Sequence, residues 1–187
     1  MDEKALINKI HSGDRDAFNE LVTGYQQRVF NISYSMLSDY EDAVDASQEV
    51  FIRVYRSIDK FRGESSLSTW IFRITKNICM DFLRKRKEAS ISIDKEDEEG
   101  QKMEIEDSSK SPEHIAEQNE TAKIVRNAIN ELDDNSRLII TMFDLEGMSY
   151  DEISAVLKIP IGTVKSRLNR AREKIKKNLW EKREQIL

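Results

Sequence analysis

The 187-residue sequence predicts an all-α protein, built as two small helical domains joined by a flexible linker. Three observations carry this. Only two prolines, Pro112 and Pro160, interrupt the chain, and with few breakers and few β-branched runs the favoured local state is helix. Apolar residues recur at helical spacing in both halves. Between them, residues 88–111 are acidic and serine-containing and lose that spacing, which is the composition of a linker. The expected domains are therefore 1–88 and 112–187, around a linker at 89–111. About eighty residues each is enough for a small core.

The elements follow in order. Residues 2–12 read as a short helix. Asp14 or Asp16 caps the next, where Ala17, Phe18, Leu21 and Val22 fall at helical spacing. A further helix carries Val29, Phe30, Ile32, Met36 and Leu37. Ser38-Asp39 opens a helix through Arg56, with Ala43, Ala46, Val50, Phe51, Val54 and Tyr55 as its apolar set. Residues 59–68 form a polar loop, and a long helix runs from about Leu67 to Lys87. Ser111-Pro112-Glu113 is a helix start, with a cap, a proline in the first turn and an acid against the dipole. Helices are expected at about 112–131, 134–145, 149–157 and 161–183.

Composition excludes whole classes of function. No apolar run approaches the roughly eighteen residues of a membrane span, and the N-terminus, MDEKALINKI, lacks a signal-type apolar core. A cytoplasmic protein is expected. Cys79, the single cysteine, is flanked by Ile78 and Met80 and reads as a buried core thiol. His11 and His114 lie far apart, so no metal cluster is expected. There is no Ser-His-Asp grouping, no phosphate-cradling glycine loop and no paired-carboxylate signature. The chain thus reads as a non-enzyme with no cofactor, no metal and no small-molecule substrate.

The net charge of −5 conceals a segregation. From Lys158 to Leu187 there are ten Lys/Arg against three acids, and Arg84-Lys85-Arg86-Lys87 is a second basic block. Glu88 to Asp107 holds nine acids and two lysines. Basic helical patches are an electrostatic footprint for phosphate backbones. The acidic segment competes for the same cations, so weak DNA binding is expected of the free chain.

Ser149 to Lys174, SYDEISAVLKIPIGTVKSRLNRAREK, is the strongest local signal. Ser149 and Glu152 make a capping box, and Ile153, Val156 and Leu157 face inward. Pro160 cannot continue that helix, and Thr163 is expected to cap a second one. The pattern is a helix-turn-helix, whose second helix enters the major groove. At about 100° per residue, Val164, Leu168, Ala171 and Ile175 share the inner face. Lys165, Ser166, Asn169 and Arg170 share the outer face and suit base edges. Arg167 and Arg172 flank them and suit phosphates.

Residues 70–87, WIFRITKNICMDFLRKRK, form the second informative helix. Ile71, Ile74, Ile78 and Phe82 make its buried stripe. Arg73, Lys76, Asn77, Met80 and Arg84 lie on another face, a mixture suited to an opened DNA strand. Trp70 suits either base stacking or core packing. The preceding loop, residues 62–69, supplies Arg62, Ser65 and further hydroxyls beside the basic helix, where an extruded base can be held.

Together these segments resemble the sigma-70 family, in its extracytoplasmic-function (ECF) branch. DAFNELVTGYQQRVFNIS resembles its first core region and EDAVDASQEVFIRVY its polymerase-binding helix. FRGESSLSTWIFRITKNICMDFLRKRK resembles the promoter-melting and −10-reading region, and residues 149–174 resemble the −35 reader. The resemblance implies a region 2 bundle, a region 4 helix-turn-helix and a factor that gives RNA polymerase its promoter choice. Asp45, Gln48 and Glu49 then face the β′ clamp. Arg62, Ser65, Trp70, Arg73, Lys76, Asn77 and Arg84 serve the −10 element. Lys165, Ser166, Arg167, Asn169, Arg170 and Arg172 serve the −35 element. Implied partners are core RNA polymerase (β′ clamp and β flap), promoter DNA and an anti-sigma factor, with the acidic linker in the RNA-exit path. Two positions depart from the family: Val44, where an acid is frequent, and Asn169, where an aromatic can stand. The rival readings are a free-standing helix-turn-helix regulator, which leaves residues 41–87 unexplained, and an enzyme with an appended DNA-binding domain.

Overall fold

A computed structural model describes residues 3–93, 124–125 and 127–186, and among them there is no strand. The helices are α1 (Glu3–His11), α2 (Arg15–Leu37), α3 (Tyr40–Ser57) and α4 (Leu67–Ile93) in the first half. A 3-10 turn at Ile58–Lys60 follows α3. The second half has α5 (Asp134–Ile140), which runs into a π turn at Thr141–Leu145, then α6 (Tyr150–Leu157) and α7 (Ile161–Ile186).

Two boundaries and one cap differ from the sequence expectation. The two helices expected between residues 14 and 37 are one, α2. Gly24 costs about 1 kcal/mol inside a helix, but Leu21, Tyr25, Val29 and Ile32 around it are all buried on the same side, and that burial outweighs it. The helix expected to end near Lys87 continues to Ile93, since no glycine or proline stands between Gly63 and Gly100. The helix expected at about 161–183 does start at Ile161, so Thr163 lies inside its first turn and does not cap it; the amides of Thr163 and Val164 donate to the Pro160 carbonyl at 2.9 and 3.1 Å. The remaining linker, the 111–113 helix start and most of the helix expected at 112–131 lie outside the described residues.

Capping residues set the other ends. Asp14 Oδ1 accepts from the amides of Asp16 and Ala17 at 2.9 and 3.2 Å. Ser38 closes α2 in the left-handed region at φ 54°, and Asp39 caps α3 by accepting from the Asp42 amide at 2.9 Å. Such caps satisfy backbone donors that the helix leaves orphaned.

The first half buries Leu21, Val29, Ile32, Val50, Val54, Leu67, Ile71 and Phe72 between α2, α3 and α4. Cys79 is fully buried, as expected of a core thiol. Phe72 was outside the stripe read for its helix. The second half buries Ile139, Met142, Ile153, Val156, Val164, Leu168 and Ala171. The two halves also pack on each other, α2 against α5 and the π turn, and α4 against α6. Arg137, itself buried, ties this seam. Its guanidinium donates to the carbonyls of Asn130 and Leu132 at 3.0 and 2.8 Å, and across the seam to the Ser35 carbonyl at 3.4 Å and the Ser38 hydroxyl.

Candidate nucleic-acid and polymerase interfaces

The helix-turn-helix is built as its sequence dictates. Ser149 Oγ accepts from the Glu152 amide at 3.2 Å, and the Glu152 carboxylate accepts from the Ser149 amide at 2.9 Å. The amide bond foremost, with the Ser149 hydroxyl adding to it, holds the Glu152 carboxyl below the usual carboxylate range. Lys158 ends α6 at φ 56°, and the Ser154 hydroxyl donates to the Ile159 carbonyl at 2.6 Å across the turn. Val164, Leu168 and Ala171 are buried against α6 and α5, and Ile175 is half-buried. That fixes the opposite face of α7 outward.

On that face Lys165, Asn169, Arg170 and Arg172 are exposed, while Ser166 and Arg167 are half-buried. Three of the six, Ser166, Arg172 and Lys165, have internal partners. The Ser166 hydroxyl donates to the Thr163 carbonyl at 3.1 Å. Arg172 pairs with Asp144 through Nε at 3.2 Å and lies 5.2 Å over the Phe143 ring, so it braces α7 against the π turn. Asp144 is the main reason the Arg172 guanidinium holds its proton more tightly than usual. Arg167, Arg170 and Lys174 line one polar hollow with Asp133. The Asp133 carboxyl is pushed down to about 2, first by the Ser136 hydroxyl and also by Lys174 at 3.1 Å. Lys165, itself exposed, lies 5.3 Å over the Tyr150 ring.

The second cluster lies where α4 begins. Arg62 and Asn77 are exposed, and Ser65, Arg73 and Lys76 are half-buried. Trp70 packs against Phe61 at 5.2 Å between centroids yet stays half-buried, so it takes part in the core and keeps an accessible edge. Arg73 Nε donates to the Ala155 carbonyl of α6 at 3.1 Å. Arg84 is exposed and pairs with Asp81 at 3.1 Å. Ser65 donates to the Ser66 carbonyl at 3.3 Å.

The third cluster is one stripe of α3. Asp45 and Gln48 are exposed, and Glu49 is half-buried and pairs with Arg53 at 3.4 Å. Ile52 and Tyr55, 44% and 60% exposed, extend that stripe. Tyr55 was expected inside, and it is not; its ring stands edge to face with that of Phe18, 5.0 Å between centroids. The phase of the helix explains this. Positions 45, 48, 52 and 55 follow one face, whereas Val50 and Val54 hold the opposite, buried one. A stripe of two polar and two large apolar side chains facing solvent is the make-up of a protein contact.

Residues 21–89 match the family Sigma-70 region 2, and residues 122–175 match Sigma-70, region 4. Over 179 residues the chain is 37% identical to the ECF RNA polymerase sigma-E factor of Escherichia coli strain K12, covering 92% of each chain. The chain belongs to the sigma-70 family, in its ECF branch. It is also 34% identical over 180 residues to the RNA polymerase sigma-H factor of Pseudomonas aeruginosa strain PAO1, covering 95% and 93% of the two chains. Two solved structures share the sigma-factor fold. The sigma factor RpoE in complex with the anti-sigma factor NepR, from Bartonella quintana, superposes with TM-score 0.70 at 24% identity, covering 87% of this chain and 96% of that one. CnrH in complex with the cytosolic domain of CnrY gives 0.65 at 24% identity, covering 94% and 95%. In this sigma factor the region 2 match takes in α3 and most of α2 and α4, and the region 4 match takes in the helix-turn-helix.

Proposed function

We propose that this sigma factor binds core RNA polymerase through the α3 stripe and directs initiation by reading −10 and −35 promoter elements. The observation that carries the reading is the pair of outward faces, a mixed protein-contact stripe on α3 and a cationic helix-turn-helix on α7. The reading includes two domains, 1–88 and 112–187, around a linker at 89–111. Asp45, Gln48 and Glu49 meet the β′ clamp, where acids and amides complement a basic partner. Arg62, Ser65, Trp70, Arg73, Lys76, Asn77 and Arg84 serve the −10 element. Lys165, Asn169 and Arg170 read −35 bases; Arg167 holds phosphate, and Ser166 and Arg172 set the helix that presents them. An open apolar groove lined by Ile129, Ile140, Leu145, Ile175, Leu179 and Trp180 suits the β flap. Control by an anti-sigma factor is proposed because RpoE and NepR form such a complex in Bartonella quintana.

The factor itself catalyses nothing; the polymerase supplies the chemistry. Among the described residues no helix is long and apolar enough to cross a membrane, and a cytoplasmic location fits the role. Purified protein added to core polymerase on fragments of its own genome should yield discrete run-off transcripts. Discrete operator binding without polymerase, and no transcripts with it, would overturn the reading in favour of a free-standing regulator.

A further inference from the structure

We propose that Tyr150 is a positioning residue of the −35 reader: its ring directs the Lys165 ammonium and so sets how sharply one base pair is chosen. The inference deepens the sigma-factor reading and rests on it, because Lys165 is assigned there to a base edge. Its basis is a ladder of four side chains. The Lys165 ammonium lies 5.3 Å over the Tyr150 ring. Tyr150 stacks on Phe143, with 4.7 Å between centroids and 19° between planes. The Arg172 guanidinium lies 5.2 Å over Phe143, and Asp144 accepts from its Nε at 3.2 Å. Phe143 comes from the π turn and Tyr150 is the first residue of α6. Lys165 and Arg172 are two turns apart on α7, so they share one face of it.

The two cations are held differently. Arg172 has a carboxylate as well as a ring, and its planar fork is fixed between them. It anchors Phe143, and Phe143 anchors Tyr150. The Ser149 hydroxyl, accepting from the Glu152 amide at 3.2 Å, fixes the start of α6 and with it the place of the Tyr150 ring. Lys165 is exposed, and among the described residues it has no ion-pair partner. A lysine head on its flexible stem samples many directions, and ordering it on a base costs side-chain entropy. An aromatic face attracts the ammonium and narrows that range. It also leaves the positive charge intact for the acceptors of a guanine edge, whereas a carboxylate at the same place would neutralise it and repel the DNA. Tyr150 thus guides the reader without competing for it.

The test compares two substitutions in the full-length chain. Tyr150→Leu keeps apolar bulk and removes the aromatic face; Tyr150→Phe keeps the face. In the unsubstituted protein the Lys165 protons beside the ammonium should resonate upfield of an ordinary lysine, because the ring shields them. That shift should vanish in Tyr150→Leu and persist in Tyr150→Phe. Holoenzyme is then scored by competition among promoters carrying each base at each −35 position. Tyr150→Leu should lower discrimination roughly two- to fivefold at one position, the position that Lys165→Ala also affects, and Tyr150→Phe should retain it. In a Lys165→Ala background Tyr150→Leu should change nothing further there, since the two act as one unit. Lys165 protons at their ordinary position in the unsubstituted protein overturn the proposal. So does a Tyr150→Leu loss that is equal on all promoters, or one that adds in full to Lys165→Ala. No core-dependent transcript from the unsubstituted protein sinks the sigma-factor reading instead, and the ring shift distinguishes the two failures.

Discussion

Ser149 and Glu152 satisfy each other across the first turn of α6, each supplying the partner that the other's backbone amide lacks. The arrangement starts the helix-turn-helix, so its loss should be felt at the DNA-reading end first. Ser149→Ala should destabilise that half by about 1 kcal/mol. The Glu152 carboxyl is held below its ordinary range. Its contribution is therefore complete above the unfolded carboxylate pKa and is lost as pH falls through the lower folded value. Thermal unfolding followed from pH 7 down to pH 3 should show this acid-side loss, and Glu152→Gln should flatten it.

The single thiol makes a second, independent check. Burial pushes Cys79 up to about 11. At pH 8 the native thiol stays protonated and inaccessible, whereas an unfolded one is partly thiolate. A disulfide reagent at pH 8 should label the native protein at least about a hundredfold more slowly than the denatured chain, because burial both disfavours the thiolate and keeps the reagent out. Prompt native labelling would mean that the α2–α4 core opens readily.

At the DNA, Lys165→Ala, Asn169→Ala and Arg170→Ala should behave differently from Arg167→Ala. Loss of a base-reading side chain costs about 1–3 kcal/mol and relaxes preference at one position. Loss of a phosphate contact weakens all sequences alike and lowers the salt slope by about 1. Competition binding of the holoenzyme to variant promoters at two salt concentrations distinguishes the two outcomes. Arg172→Ala should instead lower thermal stability, because Arg172 is committed to Asp144 and Phe143.

On α3, Tyr55→Ala and Ile52→Ala should weaken core-polymerase binding about as much as Asp45→Lys, roughly tenfold each, since apolar anchors dominate such contacts. Their own folding should be little affected, because neither ring nor branch is buried. Titration of labelled core enzyme reads this directly. If only the charge variant weakens binding, the stripe is an electrostatic guide and not an anchored interface.

Most of this fold was legible because helices announce themselves by phase and by their ends. The capping box at Ser149, the break at Pro160 and the inward Val164, Leu168 and Ala171 all follow from local rules, and all stand in the structure. Tyr55 was misplaced because an aromatic residue next to buried Val54 looks like core by type, and only its angular position shows otherwise. Phe72 was missed for the converse reason: it borders the Ile71 stripe, and α2 supplies the Arg28 and Tyr25 that cover it at 4.8 and 6.2 Å. The meeting of Arg28 with Glu146 spans 118 residues. No local rule reaches that far, and charge alone offers many equivalent pairings.

The π turn at Thr141–Leu145 has a geometric consequence of its own. It is a helix carrying one surplus residue, shown by the Glu146 amide reaching back five places to the Thr141 carbonyl at 2.9 Å. One residue is worth about 100° about the helix axis. Remove it, and Glu146 swings to a side where α2 is absent, while the start of the helix-turn-helix rotates with it. This extra step therefore works as an angular gauge, setting at once the heading of the carboxylate toward its guanidinium and the azimuth at which the reading helix is aimed.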